Sequence, residues 1–290
     1  MREQNSFKNN DAGVLYVIPT PIGNLDDMTI RALNVLKSVD VIAAEDTRHT
    51  LKLCRHFEVG APLTSYHEHN KKASGPKLIE KLMEGQSVGL VSDAGMPGIS
   101  DPGADLAAEC IDHGIPVVPL PGPNAAVTAL VASGLSTDHF LFWGFLPRQK
   151  KDRAEVLDSL KAFPHTLIFY EAPHRLKDTL SAIQSVFGDR LAALARELTK
   201  RHETFLRGRL SEIEAHVAEN EVKGECCLIV EGGTAEKEIE WWRDLSINDH
   251  VDHYIKIKGY AKKDAIKQTA VDRSESKRII YNAYHGQSEG

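Results

Sequence analysis

The chain has 290 residues, 42% of them hydrophobic and 26% charged, with a formal net charge of −6. That is enough globular sequence for about two domains with sizeable cores, and the acidic total confines any basic, nucleic-acid-binding surface to local patches. No apolar run approaches the ~20 residues of a membrane span, and the polar opening MREQNSFKNNDAG has no signal-peptide core, so a cytoplasmic protein without a membrane partner is expected.

Residues 1–13 are expected to be disordered. From there short β-branched runs alternate with helical patterns: VLYVIP then TIRALNVLKSV, DVIAAE then RHTLKLCRHF, PLTSYH then GPKLIEKLMEG, SVGLVSD then GADLAAECIDHG, IPVVPLPG then NAAVTALVAS. The strands are short β-branched runs and the helices carry apolar residues such as Ile30, Leu33 and Leu36 at three- and four-residue spacing. This grammar predicts a parallel sheet with helices on both faces over residues 14–135.

The turn-rich SGLSTDH marks a boundary, and a second α/β domain is expected over 136–233. FLFWGFLP and HTLIFYEAP read as strands, with helices near 151–162 and 174–186. RLAALAREL, ETFLRGRL and GECCLIVEGG are three closely spaced strands, which calls for a mixed sheet with antiparallel pairs. Composition shifts again beyond 234. Residues 251–290 hold eight Lys/Arg against five Asp/Glu, and with Trp241, Trp242, His250 and His253 they predict a basic helical tail of two short helices about a turn. Cys54, Cys110, Cys226 and Cys227 form no C-x-x-C pair and read as reduced thiols.

Three glycine/proline loops follow predicted strands and precede predicted helices: PTPIGNLDD, SDAGMPGISDPG and PLPGPNAA. Together they point to a small-molecule site at the carboxyl edge of a sheet. None is G-x-G-x-x-G or a P-loop, so dinucleotide binding and nucleotide hydrolysis are disfavoured. Asp93 suits ribose hydroxyls, whereas Asp101 before Pro102 reads as a helix N-cap. Pro123 is expected to start the next helix, with Asn124 or the Ala125 amide facing the same cleft.

AEDTRH places Asp46 or Thr47 as a helix cap, and Arg48 and His49 within reach of a substrate phosphate. His67 and His69 would share one face of a strand, but no further ligand at telling spacing follows, so polar cleft lining is favoured over a metal. Tyr170, Glu171, His174, Arg175, Arg196, Glu197, Lys200 and Arg201 fall near strand ends. With RQKKDR at 148–153 they would make a basic margin suited to an extended anionic substrate.

LYVIPTPIGNLDDMTIRALNVLKSVDVIAAEDTRHT, SYHEHN, LVSDAGMPGISDPG, VVPLPGPNA, FLFWGFLPR, LIFYEAPHRL and ARELTKRHETFLRG, in order over about 14–232, resemble the tetrapyrrole-methylase-fold family, and within it the branch acting on ribosomal RNA. Met96 and Asn124 depart from the family pattern, which has a small polar residue and a serine there. The resemblance implies two tandem α/β domains with S-adenosylmethionine in the cleft between them, a homodimer, and 2'-O-methylation of a cytidine ribose in small-subunit (16S) rRNA, as free rRNA or in the assembled subunit. It implies cofactor contacts from Pro21, Ile22, Gly23, Asp93, Ala94, Met96, Ile99, Asn124, Ala125 and Tyr170. A ribose hydroxyl needs a base to become nucleophilic, and Glu45, Asp46, His67, His69, Glu171 and Lys200 are candidates. The AEDTRH group is preferred: Glu45 and Asp46, with Arg48 orienting a phosphate. Two rivals are a methylase of the same fold acting on a small tetrapyrrole, and a non-enzymatic nucleic-acid-binding regulatory module.

Overall fold

The computed structural model describes residues 3–6, 13–233, 242–273 and 275–286. Of the expected disordered start, residues 1–2 and 7–12 lie outside these, while the Gln4 side chain both donates to and accepts from the Val117 backbone, each at 2.9 Å.

The first half alternates as its hydrophobic pattern dictates: β1 (Leu15–Val17), α1 (Ile30–Ser38), β2 (Val41–Ala44), α2 (Thr47–His56), β3 (Leu63–Ser65), α3 (Lys71–Met83), β4 (Val88–Val91), α4 (Ala104–Asp112), β5 (Val117–Pro119) and α5 (Ala125–Val131). The strands form a parallel sheet in the order β3-β2-β4-β1-β5. Central β2 and β4 are buried along their whole length, because helices cover both faces. Met28, Ala32, Leu36 and Cys54, from α1, α2 and the turn before α1, pack on one face, and Leu78, Leu82, Leu106 and Cys110 of α3 and α4 on the other. The chain therefore leaves β1 toward one face and β4 toward the opposite face. The carboxyl ends of these neighbouring strands form the crevice where open α/β sheets bind ligands.

The second half continues with β6 (Phe140–Phe145), α6 (Lys150–Leu160), β7 (Thr166–Glu171), α7 (Pro173–Phe187), β8 (Leu191–Arg196), β9 (Thr204–Arg209), α8 (Leu210–Glu219) and β10 (Cys226–Val230). Its sheet runs β6-β7-β10-β8-β9, parallel only between β6 and β7. Leu157, Leu176, Leu180, Ile183, Leu210 and Ile213 cover one face. The other face is covered by α5, whose Ala126, Ala129 and Leu130 pack on Ile168, Ala193, Cys227 and Ile229. The pattern had suggested that α5 completes the first sheet. Its alanines instead permit close approach to the second, so α5 joins the two sheets, and residues 1–233 form one compact unit.

Residues 234–290 form the other unit. It contains three helices among its described residues rather than the expected two: α9 (Ile247–Lys256), α10 (Lys262–Asp272) and α11 (Lys277–Tyr284). Their small core is Val251, Ala265, Ile266, Ala270 and Ile280. Buried His250 stacks on Trp242 at 5.4 Å, lies 3.1 Å from Asp272 through Nε2, and accepts at Nδ1 from Arg273. Burial lowers its affinity for a proton. Trp241 lies outside the described residues. No helix among the described residues is long and apolar enough to cross a membrane.

Candidate functional site

Two of the three glycine loops are tied together by their own backbones. Thr20 and Gly95 form an isolated bridge in which each amide donates to the other's carbonyl, at 3.0 and 2.9 Å, and the Thr20 hydroxyl reaches the Ser92 carbonyl at 3.2 Å. The turn needs the left-handed conformation at Gly95 (φ +79°), where a side chain would be strained. Gly103 (φ +134°) is the actual N-cap of α4, and a Cβ there would meet Leu90 at 2.8 Å. Asp101 is thus not the cap expected for it: the helix starts two residues later than Pro102 would place it, and the carboxyl points elsewhere.

It points into a cavity of about 410 Å³. Of the expected ligand residues, Ile22, Asp93, Ala94, Met96, Ile99, Asn124, Ala125 and Tyr170 line this space, as does Glu45. Asn124, not Pro123, precedes the first residue of α5, and its side chain caps the helix through the Val127 amide at 3.2 Å. Pro21 and Gly23, also expected as cofactor contacts, are not among the lining residues. Gly23 leaves room for the second half of the chain: a Cβ would lie 2.3 Å from Cγ of Lys200. The aromatic wall is Tyr170 with Phe142 and Phe145 edge-on to it, at 4.9 and 5.7 Å. Burial pushes the Tyr170 phenol up, and the Cys226 and Cys227 thiols in the lining up to about 11 and about 12, so both cysteines stay protonated.

The polar lining is one-sided in charge. Glu45, Asp93, Asp101, Glu171 and Glu225 contribute five carboxyls, and no lysine or arginine is among the lining residues. Two of the five are neutralised from behind. Glu171 is buried and accepts from the Ala172 amide at 2.8 Å and the Thr179 hydroxyl at 2.6 Å, with Arg175 at 3.3 Å. Glu225 meets Lys200 at 3.0 Å. The other three have no Lys or Arg within ion-pair distance among the described residues. Asp101 is pushed up to about 6 by burial, then by Glu45, against a hydrogen bond from Ser92 and with further repulsion from Asp93 and Glu225. Glu45 is raised by burial and by Asp93, against an Asp93 backbone hydrogen bond and the His67 ring.

The AEDTRH group separates into two roles. Asp46 caps α2 through the Arg48 amide at 2.8 Å, and the Arg48 guanidinium returns to it at 3.0 and 2.7 Å. These bonds hold the Asp46 carboxyl far below the usual range, which removes it as a base. The Arg48 side chain is 88% exposed and lies outside the cavity lining. His67 and His69 sit in a turn beyond β3, not on a strand, with rings 6.0 Å apart. No group of three or more His, Cys, Asp or Glu among the described residues is arranged to hold a metal.

The expected basic margin is thinner than the sequence suggests. Arg153 is buried, Arg175 binds Glu171 and the Leu146 carbonyl, and Arg196 binds the Lys223 carbonyl. Arg148, Lys150, Lys151 and Arg201 remain exposed. Asp101, Glu225 and Phe145 are among the lining residues that the sequence did not single out as site residues. Asp101 gave no signal of its place there, because its position before Pro102 reads as a helix cap and the offset appears only in the structure.

Comparison with known proteins follows the same outline. The family model for tetrapyrrole (corrin/porphyrin) methylases matches residues 14–214. The chain is 55% identical to ribosomal RNA small subunit methyltransferase I of Bacillus subtilis (strain 168), over 98% of this chain and 99% of that one. It is 54% identical to the protein of the same name from Halalkalibacterium halodurans, with the same coverage. Among solved structures it is similar to uroporphyrin-III C-methyl transferase from Thermus thermophilus complexed with S-adenyl homocysteine, with a TM-score of 0.54 at 19% identity, covering 76% of this chain and 97% of that one.

Proposed function

The chain belongs to the tetrapyrrole (corrin/porphyrin) methylase family, and we propose that it transfers a methyl group from S-adenosylmethionine to small-subunit ribosomal RNA, at the 2'-oxygen of a cytidine. The rRNA assignment rests on full-length similarity to relatives named for that activity. The observation that carries the methyl donor is the cavity lining, five carboxyls without a lining cation beside an aromatic wall. Such a site suits a ligand that joins a positive centre to a flat, partly apolar body.

When bound, S-adenosylmethionine supplies an electrophilic methyl on a cationic sulfur. The protein's part is placement and proton removal. Ile22, Asp93, Ala94, Met96, Ile99, Asn124, Ala125 and Tyr170 form the donor's pocket, with Pro21 and Gly23 buttressing the first loop. Glu45 is the base: it lines the cavity, and its raised affinity for protons suits it to accept the hydroxyl proton. Arg48, held by Asp46 and exposed, takes a backbone phosphate. The two sheets act as domains, about 14–135 and 136–233, on either side of the cleft. The chain works as a homodimer, for which the open edge of β6, with Phe140 43% and Trp143 39% exposed, is a suitable surface. Four free thiols suit a reducing cytoplasm.

The test is incubation with methyl-labelled S-adenosylmethionine and either small ribosomal subunits lacking the modification or free rRNA, with label mapped by nuclease digestion. Label on one ribose supports the assignment, and the RNA that accepts it gives the assembly state of the substrate. Donor binding without label in either RNA refutes the rRNA substrate and makes a small tetrapyrrole the next to try.

A further inference from the structure

We propose that Asp101 lets the cleft tell the charged methyl donor from its spent, neutral form: its carboxyl releases a proton when the sulfonium enters and retains it when the thioether enters. This rests on the assignment of the cavity as the S-adenosylmethionine site.

The inference comes from how the acids are distributed. Carboxyls reach the cavity from the ends of β2 and β7, the loop after β4 and the approach to β10. Arg175 answers Glu171 and Lys200 answers Glu225. Arg48 senses Asp93 through space but is engaged in its two-pronged bond with Asp46. Glu45, Asp93 and Asp101 are thus left facing one another across the open space.

Three adjacent like charges do not all ionise easily, and a proton stays where desolvation and repulsion are greatest. Asp101 is that place. Glu45, Asp93 and Glu225 all disfavour its charge, with Ser92 the opposing donor, while Glu45 is partly relieved by the Asp93 amide and His67. The other titratable groups beside it, Tyr170, Cys226 and Cys227, are held protonated by burial.

A cation placed among these acids reverses the local field and lowers a neighbouring carboxyl's proton affinity by ~1–3 pH units. The methyl donor and its product share adenosine and amino-acid groups and differ by one methyl and one positive charge. The product therefore serves as an internal control for the charge. Because Asp101 sits at about 6 in the free protein, a two-unit depression would raise donor affinity relative to product affinity roughly tenfold between pH 5 and pH 7.

The experiment is calorimetric titration of the full chain with S-adenosylmethionine and with S-adenosylhomocysteine, at pH 6, in buffers of different ionisation enthalpy. The expected result is release of about half a proton with the donor and close to none with the product. In Asp101→Asn the donor-linked release disappears and the preference for donor over product shrinks. Any proton exchanged elsewhere in the cleft persists in this variant, so the two contributions separate. Equal release with both ligands, or unchanged release in Asp101→Asn, overturns the inference. So does a donor-to-product affinity ratio in the unmodified protein that stays flat from pH 5 to pH 7, a measurement independent of any variant. Binding of neither ligand at any pH would instead overturn the cofactor assignment on which the inference stands.

Discussion

Replacing Asp101 with asparagine should make the protein more stable, not less. The carboxyl is moved from 3.8 to about 6 by the fold. Its ionised form is therefore disfavoured by about two pH units, or at most ~3 kcal/mol at 1.36 kcal/mol per unit. The side chain is only half-buried, so solvent screening reduces this to ~1–2 kcal/mol. A raised folded-state value means that the native chain keeps a proton that the unfolded chain releases between about pH 4 and pH 6. Stability therefore falls as pH rises through that window. Asparagine removes the charge and keeps the size and shape of the carboxyl. Urea unfolding of both proteins without ligand at pH 4, 6 and 8 should give a gain of ~1–2 kcal/mol for Asp101→Asn at pH 8, less at pH 6 and almost none at pH 4. Equal stabilities at pH 8, or a gain that does not change with pH, would refute the charge argument.

Thr179→Val removes the buried donor to the Glu171 carboxylate and should cost ~1–3 kcal/mol in the same assay; a neutral result would mean Arg175 and the Ala172 amide satisfy that acid alone. Gly23→Ala should displace Lys200 from Glu197 and Glu225 and weaken donor binding several-fold, with Lys200→Ala partly restoring it; no change in affinity would separate this loop from the pocket. Arg48→Ala should lower the salt dependence of RNA binding by ~1 in log–log slope while leaving donor affinity alone, read by filter binding over a salt series. Ending the chain at residue 233, the limit of the first compact unit, should weaken RNA binding more than donor binding; equal losses would argue against a substrate-side role for the tail.

The first sheet was legible because each of its elements obeys a local rule. A continuous apolar run such as Val88–Val91 can sit only between two covered faces. The loops were legible for a related reason, since clustered glycines and prolines after a strand have few conformations open to them. What the sequence left hidden is set by contacts remote in the chain. α5 follows the first sheet in sequence yet packs on the second, because the matching surface of Ile168, Ala193 and Ile229 lies far downstream. Asp101 reads as a cap by its neighbours, and only the positive φ of Gly103 shows that the helix begins after it. Arg175 and Lys200 read as part of a basic margin until Glu171 and Glu225 appear beside them. Charge patterning names the basic residues but not which of them have an acid behind them.

A cleft lined by unneutralised acids should relax by swinging them into solvent, yet the loop that carries Asp93 and Asp101 is tied down within the site. The Asp46 amide holds Asp93 Oδ1 at 3.0 Å, and the Ser92 hydroxyl ties the same loop through the Ala94 and Gly95 carbonyls at 3.3 and 3.4 Å. The loop carrying Asp93 is itself fixed by the Thr20–Gly95 bridge. Repulsion among the three acids is thus retained in the free protein instead of being lost to loop motion. That retained repulsion is what a cationic ligand can relieve and a neutral one cannot. Substitutions that loosen the tethers, such as Ser92→Ala, should therefore reduce the preference for a cationic donor over its neutral product even though they touch no ligand.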